Sequence, residues 1–540
     1  MAGGTWIDQN KIRPGVYINY KSAPSSLATM GERGVVAIAR VLDWGERGRW
    51  YTITDPSDCE QFGHSITDAE CLFIRQILLG TNRTQGASKI LLWGLETPEG
   101  SGAASLTIGS ASNSVTFTAK TAGPSGNNLA IEITTTVSSS KDVKVYNGDT
   151  VVAQSNNVTS AQYIVSDLSS YVTVTYTGGG TLTATSKTNL SGGYTGAQKA
   201  TATLGNLTAT AKYYGSFGNR LSVVITAGAS SNFIVQTLLD GQDVDSQTVS
   251  AISGLVANDY VVWSGTGALA VNTGVELSGG TNGEAGLTNY SAFLDALEVE
   301  KFDILIYDGT DATTKSTYAS FVKALSNNEG AKCQAVISDY PNPDSECVIS
   351  VYPQSVTLVD GSVLPAEHLT WWVGGASAGA KPNESLTYTK YTDAVDFSPK
   401  LNSAAQETAI QSGQFALISN KGNVQVLTDI NSFRTYAVEK GKAFSKNRVV
   451  RTVFGLCNDI YDVFSQYYIG AVSNDEEGRK ALKGEILNMM NRYQGIRALQ
   501  NVETDDVTVL KGVDSDAVVI EIYCQPVDSI EKIYVNITIH

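Results

Sequence analysis

Asp516-Ala517-Val518-Val519-Ile520-Glu521-Ile522-Tyr523-Cys524 and Ile533-Tyr534-Val535-Asn536-Ile537-Thr538-Ile539 flank the turn-forming Gln525-Pro526-Val527-Asp528 in the last stretch of the chain, residues 507–540. Val518, Ile520 and Ile522 share one face of the first run, and Ile533, Val535, Ile537 and Ile539 share one face of the second. Period-two alternation of β-branched residues marks half-buried strands. A strand needs an edge to pair with, and a terminal segment stays disordered unless something ties it down. Two arrangements meet that need. The strands close the chain's own sheet, or they are donated to a neighbouring copy, with backbone hydrogen bonds giving affinity and alternate side chains giving register.

The other end carries the same signature. Ile12-Arg13-Pro14-Gly15-Val16-Tyr17-Ile18-Asn19-Tyr20 is a Pro-Gly turn leading into a short strand, flanked by polar linkers with no core of their own. Residues 1–25 are therefore expected to form an N-terminal linking arm and 516–540 a C-terminal strand arm. The candidate inter-subunit strand residues are Val16, Tyr17, Ile18, Ile533, Tyr534, Val535, Asn536 and Ile537.

Composition narrows the function. At 540 residues, 42% hydrophobic and 17% charged, the chain is an ordinary folded protein long enough for several domains. A net charge of -15 without a long basic cluster disfavours nucleic acid and anionic membranes as direct partners. The opening Met1-Ala2-Gly3-Gly4-Thr5-Trp6 lacks the basic and apolar regions of a signal peptide, and no apolar run is long enough to cross a bilayer, so synthesis and residence in a cytoplasm are expected. Cys59, Cys71, Cys333, Cys347, Cys457 and Cys524 are scattered without a CxxC pair and read as reduced core residues.

Between the arms the texture changes twice. Residues 26–100 alternate strand, helix and strand: Gly34 to Arg40, a short helix from Asp55-Pro56, a longer one from Thr67-Asp68 to Leu79, then Lys89 to Gly94. That order argues for an α/β layer. From about Ser101 to Gly283 the chain is rich in Thr, Ser, Gly and Val, with turns at the close spacing of all-β modules. This region repeats: Thr118 to Thr134 matches Thr210 to Thr226 at nine of seventeen positions, and Leu190-Ser191-Gly192-Gly193 recurs as Leu277-Ser278-Gly279-Gly280. Two tandem β-modules follow, 101–198 and 199–283. Strand and helix patterns then resume over 284–515, completing a core body of 26–100 and 284–515. The fold class is thus α+β multidomain, an α/β-type core split by a large all-β insertion of two tandem repeated modules, with extended N- and C-terminal strand arms.

No cofactor or metal is implied. GxGxxG and GxxxxGK[ST] are both absent. Gly375-Ala376-Ser377-Ala378-Gly379 matches the GxSxG pattern of a nucleophile elbow, which needs an acid and then a histidine later in the chain. The one later histidine is His540, and Lys381-Pro382 cuts short a following helix. Small residues allowing close packing explain the run better, and no catalytic residue is assigned. His64 and His368, in polar surroundings, offer no metal-ligand spacing.

Two helices precede the terminal strands. Arg448 to Ile469 carries a wide stripe of Val449, Val453, Leu456, Ile460, Val463 and Tyr467. Asp475 to Tyr493 has acids at its N-terminus, which suits the helix dipole, and a narrower seam of Leu482, Ile486, Met489 and Tyr493, with Arg479, Lys480, Lys483 and Arg492 placed outward. A solvated face is the better account of these four residues on pattern alone.

Taken in order, Arg13-Pro14-Gly15-Val16-Tyr17-Ile18, Trp371 to Ala380, Gly422 to Phe433, Asn447-Arg448-Val449-Val450-Arg451-Thr452 and the terminal strands resemble the contractile-tail sheath proteins of phages and phage-like particles. The resemblance covers the first hundred residues and 287–540. It implies a non-enzymatic virion-tail subunit, made in the bacterial host cytoplasm, that forms hexameric rings stacked helically around an inner tail tube and contracts to drive the tube through the host envelope. It further implies contacts with the tube, baseplate and tail terminator, and makes Arg479, Lys480, Lys483 and Arg492 candidates for facing the tube. The alternative, on the strength of the β-modules, is a surface adhesin or carbohydrate-binding protein of such a particle.

Overall fold

The computed structural model describes residues 33–136, 140–164 and 166–539, with the backbone of 3–4 and 16–17. The chain folds as two compact units. The described residues of one are 33–36, 76–89 and 301–539; the other is 37–75 and 90–300.

In the first unit four parallel strands lie in the order Gln414–Phe415, Val348–Val351, Gln334–Ser338, Ile304–Tyr307. Ile304–Tyr307, Gln334–Ser338 and Val348–Val351 are buried at every position, as expected of a parallel sheet covered on both faces. Helices Ala312–Ala324 and Leu369–Gly379 pack on this sheet. The second helix is the Gly-Ala-Ser-Ala-Gly segment itself, and its glycines are required by packing. A Cβ on Gly375 would lie 1.9 Å from the Ile77 carbonyl oxygen, one on Gly379 2.1 Å from the Gly86 carbonyl oxygen, and one on Gly374 2.4 Å from the Ile306 side chain. Beside them Trp372 stacks on Tyr391 at 4.1 Å and donates to the Gly80 carbonyl at 2.7 Å.

The rest of this unit is a helix pair with a hairpin. Asn447–Tyr467 buries Val449, Val450, Leu456 and Val463, while Tyr467 at the end of the expected stripe is exposed. Glu476–Gly495 starts from an Asp475 cap that accepts from the Gly478 amide at 2.8 Å, and buries Leu482, Ile486, Met489, Met490 and Tyr493. Val507–Lys511 and Val518–Ile522 form an antiparallel hairpin whose Val507, Val509, Ile520 and Ile522 pack against the two helices. This corrects the expected C-terminal arm: 518–522 belongs to the body and pairs upstream, because Val507 and Val509 bury against the helices with Ile520 and Ile522 and Gly512 to Ala517 supplies the turn. Gln525–Pro526, read as a turn, pairs with Leu499–Gln500.

The second unit carries residues 37–40 of the strand Val35–Arg40, residues 90–94 of Lys89–Gly94 and all of Trp50–Ile53, in that order, the last antiparallel to its neighbour, and two β-sandwiches. One sandwich sets Thr150–Val158, Lys141–Asn147, Leu129–Thr135 and Thr185–Asn189 against Val172–Tyr176, Asn113–Ala119 and Ser105–Ser110. The other sets Gln242–Val249, Phe233–Leu239, Leu221–Ala227 and Asn272–Glu276 against Val261–Gly265, Leu207–Ala211 and Thr201–Leu204. Strand for strand the order is the same.

The repeated motifs meet in each sandwich. Gly123 and Gly215 turn the chain at φ +116° and +127° into one-turn helices Pro124–Asn128 and Ser216–Arg220. Asn127 then exchanges two hydrogen bonds with Gly193, at 2.8 and 2.9 Å, and Asn219 does the same with Gly280, at 2.9 and 2.8 Å. The closing Leu-Ser-Gly-Gly tag is thus the partner of the repeated Gly-Asn. The same unit takes in 37–75 and 284–300. Within it Trp44 is buried in the core of the second sandwich, 4.7 Å from Phe217 and 5.1 Å from Tyr213 between ring centres.

Candidate functional site

The C-terminal segment is held at its base and released beyond it. Val527 donates to the Ala498 carbonyl at 2.9 Å. The Glu531 carboxylate accepts from Thr387 Oγ1 at 2.7 Å, Thr428 Oγ1 at 3.3 Å and the Lys446 ammonium. Burial pushes the Glu531 pKa up, but these donors outweigh it and hold the carboxyl below its usual range. From Lys532 to Ile539 every residue is exposed and none belongs to a strand.

Among the candidate residues, Ile533 is 78% exposed, Tyr534 91%, Val535 71% and Ile537 84%; Asn536 is exposed too. Sequence alternation identified a strand, and the chain provides it with no sheet among the described residues. Exposed single apolar residues are normal on a protein surface, but four β-branched aliphatics on one face of an extended segment are not. At the other end Val16–Tyr17 pairs in parallel with Gly3–Gly4, a two-residue ladder; Ile18 lies outside the described residues, as does His540.

Close in sequence to the free segment is a sheet with room to grow. The hairpin Val507–Lys511/Val518–Ile522 is two-stranded, so among the described residues each strand keeps one unpaired edge. Its residues Ile520 and Ile522 are only partly covered by the helices, and Val518, Val519 and Leu510 are 39%, 49% and 51% exposed. Such edges accept further strands readily. The short run 507–511 and the turn at 512–517 are its only signal in the sequence, and a second turn-forming stretch at 525–528 competes with it.

The basic residues of helix Glu476–Gly495 do not form one face. Lys483 and Arg492 are nine residues apart, which at about 100° per residue places them on opposite sides of the helix. Arg479 donates to Asn474 through its carbonyl and Oδ1 at 3.0 and 2.9 Å, and exposed Lys480 pairs with Glu476 at 2.6 Å. Lys483 and Arg492 are half-buried.

The chemistry-bearing residues elsewhere serve packing. Ser377 lies inside a helix, its Oγ buried without a hydrogen-bond partner. His64, expected in polar surroundings, is 2% exposed and set between Asp43 (Nε2 to Oδ1, 2.7 Å) and Asp68 (Nδ1 to Oδ2, 3.2 Å). Burial lowers its pKa, but the flanking carboxylates more than reverse this and the pKa is raised. His368 stacks on Trp371 at 4.0 Å. Among the described residues no group of three His, Cys, Asp or Glu could hold a metal ion, and no helix is long and apolar enough to cross a membrane. All six cysteines are free; Cys59, Cys71, Cys333 and Cys347 are buried, and burial raises the pKa of the last three.

Comparison with known proteins gives the same direction throughout. Three family models match: the phage tail sheath protein beta-sandwich domain over residues 194–282, the phage tail sheath protein central domain over 283–432 and the phage tail sheath C-terminal domain over 439–540. The chain is 30% identical to the uncharacterized protein YqbK of Bacillus subtilis (strain 168) and 28% identical to the phage-like element PBSX protein XkdK of the same organism, each over 100% of both chains. Among solved structures it resembles a sheath tail protein from Desulfitobacterium hafniense, at 35% identity and a TM-score of 0.70 over 96% of this chain and 99% of that one. A sheath tail protein from Listeria innocua matches at 25% identity and a TM-score of 0.62, over 94% and 95%.

Proposed function

Because this chain belongs to the phage tail sheath protein family and is a structural subunit of a contractile phage-type tail, we propose that it polymerises helically by lending its terminal strands to neighbouring copies. The carrying observation is the segment 533–539, uncharged, alternating and exposed throughout, in a chain whose terminal hairpin has two open edges among the described residues. A strand added to that hairpin would extend the face of Val518, Ile520 and Ile522 with Ile533, Val535, Ile537 and Ile539. The Val16–Tyr17 strand would serve the same lattice from the other terminus. Head-to-tail contacts of this kind do not close on themselves, so they grow a cylinder.

In this reading the cylinder of stacked hexameric rings encloses an inner tube, and of the four candidates Arg479, Lys480 and Lys483 can face it together, while Arg492 stands on the other side of the helix. Exposed ion pairs contribute only about 0–1 kcal/mol each, so such contacts guide docking and still release. Contraction is then a collective slide of bodies between two packings while the exchanged strands stay paired, ending at a baseplate on one side and a tail terminator on the other. The subunit is made in the bacterial host cytoplasm and acts without catalysis. The two sandwiches are a duplicated module inserted into the body and carried on the outside, supported by their common strand order and by matched family ranges that begin only at residue 194. The full-length relatives of stated kind are sheath proteins, which sets the adhesin alternative aside.

Truncation after Glu531 tests the proposal. By negative-stain microscopy the full chain is expected to form long hollow cylinders and the truncated chain to remain as separate subunits with an unchanged circular dichroism spectrum. Cylinders formed equally well by the truncated chain would refute strand lending from this end.

A further inference from the structure

Arg33 and Glu531, near the two ends of the continuous described chain, are both fastened at one helix. Arg33, which follows the N-terminal residues, sends its guanidinium to Asp459 Oδ2 at 2.7 Å, to the Gly455 carbonyl at 3.3 Å and to the Tyr493 hydroxyl, and it lies 5.4 Å from the centre of the Tyr493 ring. Gly455 and Asp459 belong to helix Asn447–Tyr467. At the other end Glu531 is fastened to Lys446, the residue that immediately precedes this helix, and to Thr387 and Thr428. Both ion pairs are shielded from solvent: the side chains of Arg33 and Asp459 are 23% and 6% exposed, those of Lys446 and Glu531 21% and 15%. Glu531 is also the last part-buried residue before the free run of 532–539.

We propose that Glu531 and Arg33 are positioning residues for assembly, two ionic pins that fix where the C-terminal and N-terminal arms leave the body, with helix Asn447–Tyr467 as the spacer between them. The inference rests on the strand-lending reading above. Lys446 and Asp459 are thirteen residues apart, so the pins stand about 20 Å apart along the helix axis at ~1.5 Å per residue. A helix is stiff over that length. The separation of the two arm roots is therefore fixed before any neighbour is met, and a pull on one arm is delivered to the other along one rigid element.

The physical advantage is preorganisation. An arm leaving a loose root samples many directions, and few of them present its backbone to a neighbour's sheet edge. Affinity falls by the fraction of time spent in a competent direction. The pins are made with groups from segments remote in sequence, the side chains of 387, 428 and 446 for one and the Gly455 carbonyl with the side chains of 459 and 493 for the other, so they orient the arms without depending on the arms' own sequence.

Charge reversal of the C-terminal pin provides the test. Glu531→Lys and Lys446→Glu are made singly and together in the full chain. The critical concentration for cylinder formation is read by sedimentation, the rise and twist of the cylinders by electron cryomicroscopy, and the melting temperature on unassembled protein. Each single variant is expected to raise the critical concentration roughly 10- to 100-fold at an unchanged melting temperature, the factor corresponding to a competent fraction of ~1–10%. The double variant is expected to recover most of that loss. If a single charge reversal itself lowers the melting temperature, Glu531→Gln, which keeps shape and removes the charge, replaces it and should give the same rise in critical concentration. Single variants that assemble at the wild-type concentration with unchanged rise and twist overturn the proposal, as does a double variant no better than its parents. Truncation after Glu531 separates the two ideas. If truncation abolishes cylinders while charge reversal does nothing, the pin is wrong and strand lending stands; if truncated chains still assemble, strand lending is wrong and the pin falls with it.

Discussion

Replacing Ile537 by Ala asks whether the exposed face of the C-terminal segment is an interface. In the separate subunit Ile537 is 84% exposed and touches no sheet, so its truncation should leave folding stability where it is. In an assembled cylinder its side chain would lie buried between a neighbour's hairpin and helices. Ile→Ala removes three carbons, and at ~0.8 kcal/mol per buried CH₂ group the loss is about 2.4 kcal/mol for each lent strand. At 1.4 kcal/mol per factor of ten this corresponds to roughly a 50-fold increase in the critical concentration. Sedimentation of assembled against free subunit over a dilution series measures it. The alternation supplies an internal control: Thr538→Ala, one residue on and facing the other way, should change the critical concentration by less than about threefold, since it removes little apolar area. Equal effects at 537 and 538 would refute the register, and no effect at either would refute burial of this segment. A fall in the melting temperature of the separate Ile537→Ala subunit would show that the segment folds onto its own body.

Two other perturbations address the body. Gly375→Ala places a Cβ against the Ile77 backbone, where no side chain can yield, and should lower stability by about 1–3 kcal/mol or more, whereas Ser377→Ala removes a buried hydroxyl that has no partner and should be neutral or slightly stabilising; thermal denaturation of the two variants checks both signs. His64 gives a pH dependence. Its pKa is raised in the folded chain, so its contribution to stability is complete below the unfolded value near 6.5 and is lost as pH rises through the higher folded value. The imidazole signal of His64, followed by NMR in a chain with three histidines, should titrate above the ordinary value, and Asp43→Asn should bring it down.

The elements that were legible in the sequence are those whose pattern is local. Helix Glu476–Gly495 shows its seam of Leu482, Ile486, Met489 and Tyr493 at the expected period, and all four are buried. The repeat over 118–134 and 210–226 likewise returns as two sandwiches of one strand order. What escaped depends on partners distant in the chain. Nothing in the charged residues and glycines that follow Trp44 announces that its ring completes a core built far downstream around Phe217, and period alone cannot say that Val518–Ile522 pairs upstream with 507–511 when a second alternating run lies downstream. The four basic residues of the last helix are expected together on its outward side, yet a spacing of nine places Lys483 and Arg492 on opposite sides. Ion pairs such as Arg33–Asp459 and Lys446–Glu531 join residues hundreds and scores of positions apart, and no local spacing encodes them.

The chemistry of the free segment argues for its occupant. Ile533 to Ile539 has high β-propensity, no charge and no proline across seven residues, the composition that aggregates through exposed strand edges. Proteins that must keep such a segment exposed flank it with charges and limit its freedom. Here Glu531 and Lys532 stand immediately before it, and the Glu531 carboxylate ties its root to Lys446, Thr387 and Thr428. The four aliphatics are exposed and support nothing in their own subunit. An apolar face of that kind beside a guarded root is accounted for if another copy completes it.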